Sequence, residues 1–162
     1  MSRQNKTWPE IEAACRALLS PEDTLLSSLA NLSAELFQDL SVRNWVGFYL
    51  IHQGRLVLGP FQGKPACVSI PVGKGVCGTS VLEERTVVVP DVHRFPGHIA
   101  CDSASRSEIV VPLRFQDRVI GVLDIDSPQE DTFDEEDALH LENVVRDLVS
   151  RLDFSRLGEF FA

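Results

Sequence analysis

Three of the four cysteines stand where a thiol could react. Cys77 follows Gly73-Lys74-Gly75 at a predicted helix start, where the helix dipole lowers a thiol pKa. Cys101 is flanked by His93 and His98, whose protonated forms favour a thiolate. Cys67 lies beside a loop. A thiolate is both a nucleophile and a partner for disulfide exchange, so redox work is one reading of these positions. Three small buried residues is the competing one. Cys15 differs, because it sits among Ile11, Leu18 and Leu19 inside a helical pattern and reads as core. Zinc is disfavoured, since no two cysteines have Cys-x-x-Cys spacing. No metal and no organic cofactor is expected.

Carboxylates supply the second constellation. Asp124 and Asp126 flank Ile125 in a predicted strand, so both point to one face of the sheet. If Glu108 on the adjacent strand joins them, three like charges cannot all ionise cheaply, and one is expected to hold a proton near neutral pH. Such a group can donate a proton, while the others could bind an ammonium group; a solvated sheet edge is the alternative. Trp45 and Tyr49, four apart on a strand, also share a face. Their rings could box a methyl group or a polarised sulfur, or simply pack in the core. Loop histidines are often exposed or satisfied by backbone, so the roles of His93 and His98 stay open.

These residues need elements to hold them. Thr7, Pro9 and Glu10 give a helix start, and Ser20, Pro21 and Asp23 repeat the signal ahead of Leu25, Leu29, Leu32 and Leu36 at helical spacing. A strand over Asn44 to Ile51 turns at His52-Gln53-Gly54-Arg55 into a second from Leu56. A third is predicted over Cys67 to Ile70, then a short helix carrying Val76, Cys77 and Val81, then a strand at Val87 to Val89. Pro90 to Ser107 has the composition of a functional loop. Strands at Glu108 to Phe115 and Arg118 to Asp126 follow around Gln116-Asp117, and the last helix, from Thr132 or Asp134, buries Leu141, Val145, Leu148 and Leu152. Adjacent strands with helices gathered at the ends predict one α+β domain over 1–162, with a helical segment 7–40, a sheet core 44–126 that is largely antiparallel, and a C-terminal helix 133–153.

Composition limits the partners. Twenty-four acidic against 15 basic residues give a net charge of −9, which repels nucleic acid and anionic membrane surfaces alike. The polar stretch Met1 to Lys6 holds no signal-like apolar run, so a cytoplasmic protein is expected. The apolar residues Phe154, Phe160 and Phe161 hint at a homodimer contact.

The segments Asn44-Trp45-Val46-Gly47-Phe48-Tyr49, Gly73-Lys74-Gly75-Val76-Cys77-Gly78, Phe95-Pro96-Gly97-His98-Ile99-Ala100-Cys101-Asp102-Ser103, Ser107-Glu108-Ile109-Val110-Val111-Pro112 and Leu123-Asp124-Ile125-Asp126-Ser127 resemble the free methionine-(R)-sulfoxide reductases, which are single GAF domains. The likeness runs from about Asp23 to Leu152 in long, nearly gapless motifs. It implies a GAF-type fold, free L-methionine (R)-sulfoxide as substrate, and the thioredoxin system as electron donor. By resemblance Cys101 attacks, Cys67 or else Cys77 serves recycling, Glu108, Asp124 and Asp126 are the ligand carboxylates, and Trp45 and Tyr49 form the aromatic pocket. The sulfoxide oxygen would pass to Cys101 as a sulfenic acid, which a second cysteine condenses to a disulfide. Residues and resemblance part on one point. A helix start favours Cys77 as nucleophile, the resemblance favours Cys101, and Cys101 is preferred because its loop is better able to move between attack and exchange. The rivals are a GAF module that binds a small ligand without turnover, which would need an output domain this length leaves no room for, and a thiol redox sensor.

Overall fold

The computed structural model describes residues 6–99 and 101–161; the stretch 1–5, Ala100, inside the loop motif quoted above, and Ala162 lie outside the described residues. In chain order the elements are α1 (Trp8–Ala17), α2 (Leu25–Asp39), β1 (Trp45–His52), β2 (Arg55–Gly63), β3 (Ser69–Pro71), α3 (Gly75–Glu83), β4 (Val87–Val89), β5 (Ser107–Phe115), β6 (Arg118–Ser127) and α4 (Glu135–Arg151). Short 3-10 turns occupy Val92–Arg94 and Leu157–Phe161.

Two hairpins make the middle of the sheet. Gln53-Gly54 and Gln116-Asp117 both take positive φ, at 49° and 75° and at 50° and 60°, the two-residue turn whose twist matches antiparallel strands. β1 then pairs with β6, joining the hairpins into one six-stranded sheet of order β3-β2-β1-β6-β5-β4, antiparallel at every step. The expected α+β class and antiparallel sheet are what the chain forms.

Local chemistry sets the boundaries. Glu10 accepts from the Thr7 backbone N–H at 2.7 Å and from its hydroxyl at 2.8 Å, fixing the start of α1. The expected start of α2 at Ser20-Pro21 is corrected to Leu25. Thr24 is the cap, accepting from Ser27 N–H at 3.2 Å, whereas the Ser20 hydroxyl accepts from Glu22 N–H and closes a turn. β3 also starts later than Cys67, because the Cys67 carbonyl is taken by the Tyr49 hydroxyl, which donates to it at 2.9 Å. At α4 the Asp134 carboxylate accepts from Glu136 and Asp137 N–H, so of the two expected starts, Thr132 and Asp134, it is Asp134 that caps the helix.

The pleat sorts side chains to two sides. Val46, Phe48 and Leu50 of β1 bury against α2, and Ile109, Val111 and Leu113 of β5 against α4; Leu123 and Ile125 of β6 lie in the same core, and α1 packs on both helices. Cys15 lies in this layer, its thiol pushed up to about 12 by burial, so it is core as expected. Phe154 is there too, packed on Phe115 at 5.8 Å, and is therefore not part of an exposed tail; Phe161 stacks on His52, and Phe160 is exposed. The opposite face carries Trp45, Tyr49, Val110 and Val122 and packs on α3.

Candidate functional site

Pleat and register bring the carboxylates together on this second face. Asp126 lies between Trp45 of β1 and Glu108 of β5, and Asp124 lies one row along, between Gly47 and Val110. The row beside Asp124 is a glycine for a steric reason: a Cβ on Gly47 would stand 2.4 Å from Phe61 Cβ and 2.7 Å from the Trp45 ring. Glycine here lets that ring lie flat between Tyr49 and Phe61, at centroid distances of 5.8 and 5.2 Å. Both aromatic tips are fixed, since Trp45 Nε1 donates to the Lys64 carbonyl at 3.1 Å and the Tyr49 hydroxyl to Cys67.

Above these strands lies a narrow cleft. Trp45 and Tyr49 form one wall, the start of α3 another, and Cys77, Glu108, Asp124 and Asp126 its floor. The loop before β5 brings His98, Ile99, Cys101 and Asp102 over it. Cys101 is joined to Cys67 by a disulfide, with Cα atoms 5.5 Å apart, so two cysteines 34 residues apart in sequence meet at the rim. Cys77 stays a free thiol, buried, with Sγ 3.9 Å from Glu108 Oε1.

The electrostatics follow from burial of like charge. Glu108 and Asp124 are each only 6% exposed. Burial pushes the Glu108 carboxyl well above its ordinary range, and Asp126 adds to that; burial and then Glu108 do the same to Asp124. Asp126 is raised by burial, Asp124 and Asp102. The floor is therefore shifted toward its protonated form, and a protonated carboxyl can donate to a developing oxyanion. The same surroundings hold the Tyr49 phenol protonated and drive Cys77 upward, first by burial and then through Asp124 and Glu108. That reverses the direction expected from a helix start: a dipole worth about 1 kcal/mol does not offset desolvation beside three carboxylates. His98 Nε2 lies 3.6 Å from Glu108 Oε2, with its pKa lowered by burial, while His93 is exposed and lines no part of the cleft.

Thus Cys67, Cys101, Cys77, Glu108, Asp124, Asp126, Trp45 and Tyr49 line one cleft or lie against it. A residue given no role in the sequence braces it from outside the lining. Asn44 Nδ2 donates to Asp102 Oδ2 and to Ser105 Oγ, both at 3.1 Å, and so ties the Cys101 loop to the start of β1. The only signal for it was its place at the head of the Asn44-Trp45 segment. Among the described residues no helix is long and apolar enough to cross a membrane.

Residues 20–152 match the GAF domain family. The chain is 49% identical over 160 residues to the free methionine-R-sulfoxide reductase of Escherichia coli strain K12, covering 98% of this chain and 97% of its relative. Its fold resembles fRMsr of Staphylococcus aureus in the reduced form, with a TM-score of 0.88 and 52% identity over 94% of this chain and all (100%) of the other. It likewise resembles the free methionine-R-sulfoxide reductase of Neisseria meningitidis in complex with its substrate, with a TM-score of 0.87 and 43% identity over 96% and 92% of the two chains.

Proposed function

The chain is a GAF-domain protein and belongs to the free methionine-R-sulfoxide reductases, and from that premise we propose that it reduces free L-methionine (R)-sulfoxide to L-methionine through Cys101. The observation that carries the reading is the Cys67–Cys101 disulfide at the rim of a cleft floored by buried carboxyls whose pKa values burial raises. In the reduced protein the Cys101 thiolate attacks the substrate sulfur while a carboxylic acid among Glu108, Asp124 and Asp126 hydrogen-bonds the sulfoxide oxygen and gives it a proton. Attack forms a bond between Cys101 Sγ and the substrate sulfur; the protonated oxygen then passes from the substrate sulfur to Sγ as that bond breaks, its electron pair staying on the departing methionine and Cys101 being left as a sulfenic acid. The Cys67 thiol condenses with it, forming the disulfide and releasing water. A dithiol of the thioredoxin class then reduces that disulfide by exchange, and a reducing compartment such as the cytoplasm suits the cycle.

Cys77 is the weaker candidate for recycling. Its thiol faces the floor, is held protonated, and lies outside the disulfide. Preference for the free amino acid follows from charge: an ammonium group among these carboxylates makes a charge-assisted contact that a peptide nitrogen cannot. The aromatic wall of Trp45 and Tyr49 suits the S-methyl end.

The reading is tested by methionine release from each epimer of free methionine sulfoxide, with dithiothreitol as reductant. Release from the R epimer alone is expected. Consumption of neither epimer would turn the assignment to a module that binds its ligand without turnover.

A further inference from the structure

The cleft floor contains more ligand chemistry than sulfoxide reduction uses. Cys77 from α3, Glu108 from β5 and Asp124 from β6 are at most 6% exposed, and the sulfur and one oxygen of each carboxylate lie within 4.8 Å of one another. The three groups already touch, Cys77 Sγ donating to Glu108 Oε1 at 3.9 Å and the Asp124 carboxyl interacting with both. Asp124 Oδ1 is buried with no hydrogen-bond partner. An acceptor left bare in this way, on a carboxyl that lies beside a thiol and a second carboxylate, is an open ligand position. A nitrogen is also at hand, since His98 Nε2 stands 3.6 Å from Glu108 Oε2 on the side toward the mouth.

From this juxtaposition we infer that the floor is also a binding site for a divalent cation of the zinc class, held by Cys77 Sγ, Glu108 and Asp124, with His98 Nε2 or water in the fourth place. One sulfur, two carboxylate oxygens and an imidazole fit a borderline-soft, tetrahedral ion. Magnesium and calcium take oxygen-only sets, and copper(I) favours more sulfur. At zinc bond lengths neighbouring ligand atoms stand about 3.3–3.5 Å apart, so the three groups must close by about 1 Å, within the reach of side-chain rotation. Binding releases the Cys77 thiol proton and any carboxyl proton to solvent, and the dication replaces the mutual repulsion of the anions left behind. Cys-x-x-Cys spacing had no bearing on this set, because its members come from three separate elements.

The ion would occupy the place where a sulfoxide oxygen meets the carboxylates. Binding is independent of the reductase reading; its effect on turnover rests on that reading. Zinc therefore acts as a reversible inhibitor competitive with methionine sulfoxide.

The site is tested first on the untagged protein with the Cys67–Cys101 disulfide closed, so that neither of those sulfurs can ligate. Cobalt(II) is the probe. One equivalent is expected to give a thiolate-to-cobalt absorption band that zinc abolishes, that Cys15→Ser retains and that Cys77→Ser removes. Asp124→Asn, with folding checked by circular dichroism, is expected to weaken binding about tenfold or more. No band in the parent protein, or a band that survives Cys77→Ser, overturns the proposal. In turnover, zinc should raise the apparent KM for the sulfoxide with kcat unchanged, and a chelator should restore it; zinc lowering kcat alone would contradict the placement. A protein that binds cobalt through Cys77 yet consumes no sulfoxide would retain the metal site and refute the reductase reading.

Discussion

Along β6 the side chains alternate between Leu123 and Ile125, sealed beneath the helices, and Val122, Asp124 and Asp126, turned to the cleft. On β5 Ile109 and Glu108 divide in the same way, and on β1 so do Val46 and Trp45. One face meets the ordinary rule that buried surface is apolar. The other buries two carboxyls at 6% exposure and leaves one of their oxygens without a hydrogen-bond partner. The contrast teaches that a sheet packed well on one side can hold unfavourable chemistry on the other: the helix layer carries the stability, and the cleft spends some of it on function.

Single substitutions can break or sharpen this division. The largest effect is expected at the rim. Cys101→Ser should lower kcat by about 10^4-fold or more while leaving the melting temperature of the reduced protein nearly unchanged. On the floor, Asp124→Asn should cost about 10^2- to 10^4-fold in kcat/KM without destabilising the fold, because it removes a buried like charge. One residue away, Leu123→Ala should do the reverse, costing about 2–5 kcal/mol of stability with turnover per folded molecule unchanged. Denaturant unfolding and initial rates on the same preparations separate the two. Smallest is Tyr49→Phe, which frees the Cys67 carbonyl and should slow recycling with a loss of about 1 kcal/mol, seen as slower reduction of the disulfide.

The floor also predicts a pH dependence. Glu108, Asp124 and Asp126 are raised from 4.5, 3.8 and 3.8, so above those values the folded state binds more protons than the unfolded state. Their contribution to stability is thus greatest on the acid side and falls as pH rises through the folded-state values. His98, lowered from 6.5, acts oppositely and loses stability as pH falls below that value. Melting temperatures of the parent protein and Asp124→Asn across pH 5 to 8 isolate the carboxylate part. The parent should fall more steeply toward pH 8, and parallel curves would remove the burial of like charge from the explanation.

Much of this was legible in the chain because period and composition report burial directly. The leucine spacing of α2 gave a buried helix face, the tight turn between two apolar runs gave β5 and β6, and Asp-Ile-Asp in a strand gave two carboxylates on one face. Less was legible where residues compete for one role. Ser20 and Thr24 are both good caps, and in the fold Thr24 takes the Ser27 N–H while Ser20 closes the turn before it on Glu22 N–H. Cys77 reads as an activated thiol from its helix start alone; the carboxylates that reverse this come from strands more than 30 residues away. Asn44 carries no chemistry of its own and becomes visible only when Asp102 and Ser105 arrive beside it. Phe154 looked like part of a sticky tail because nothing local reveals that Phe115 receives it.

The central claim is that oxygen passes from substrate to Cys101 above the carboxylate floor. It is tested most directly in reduced Cys67→Ser, where no partner at that position can close the disulfide, by mixing with methionine (R)-sulfoxide and a sulfenic-acid trap and mapping the adduct by mass spectrometry. One methionine released per chain, matched by one adduct on the Cys101 peptide, is the expected result. Methionine released with the adduct on Cys77, or with no cysteine labelled, would contradict it.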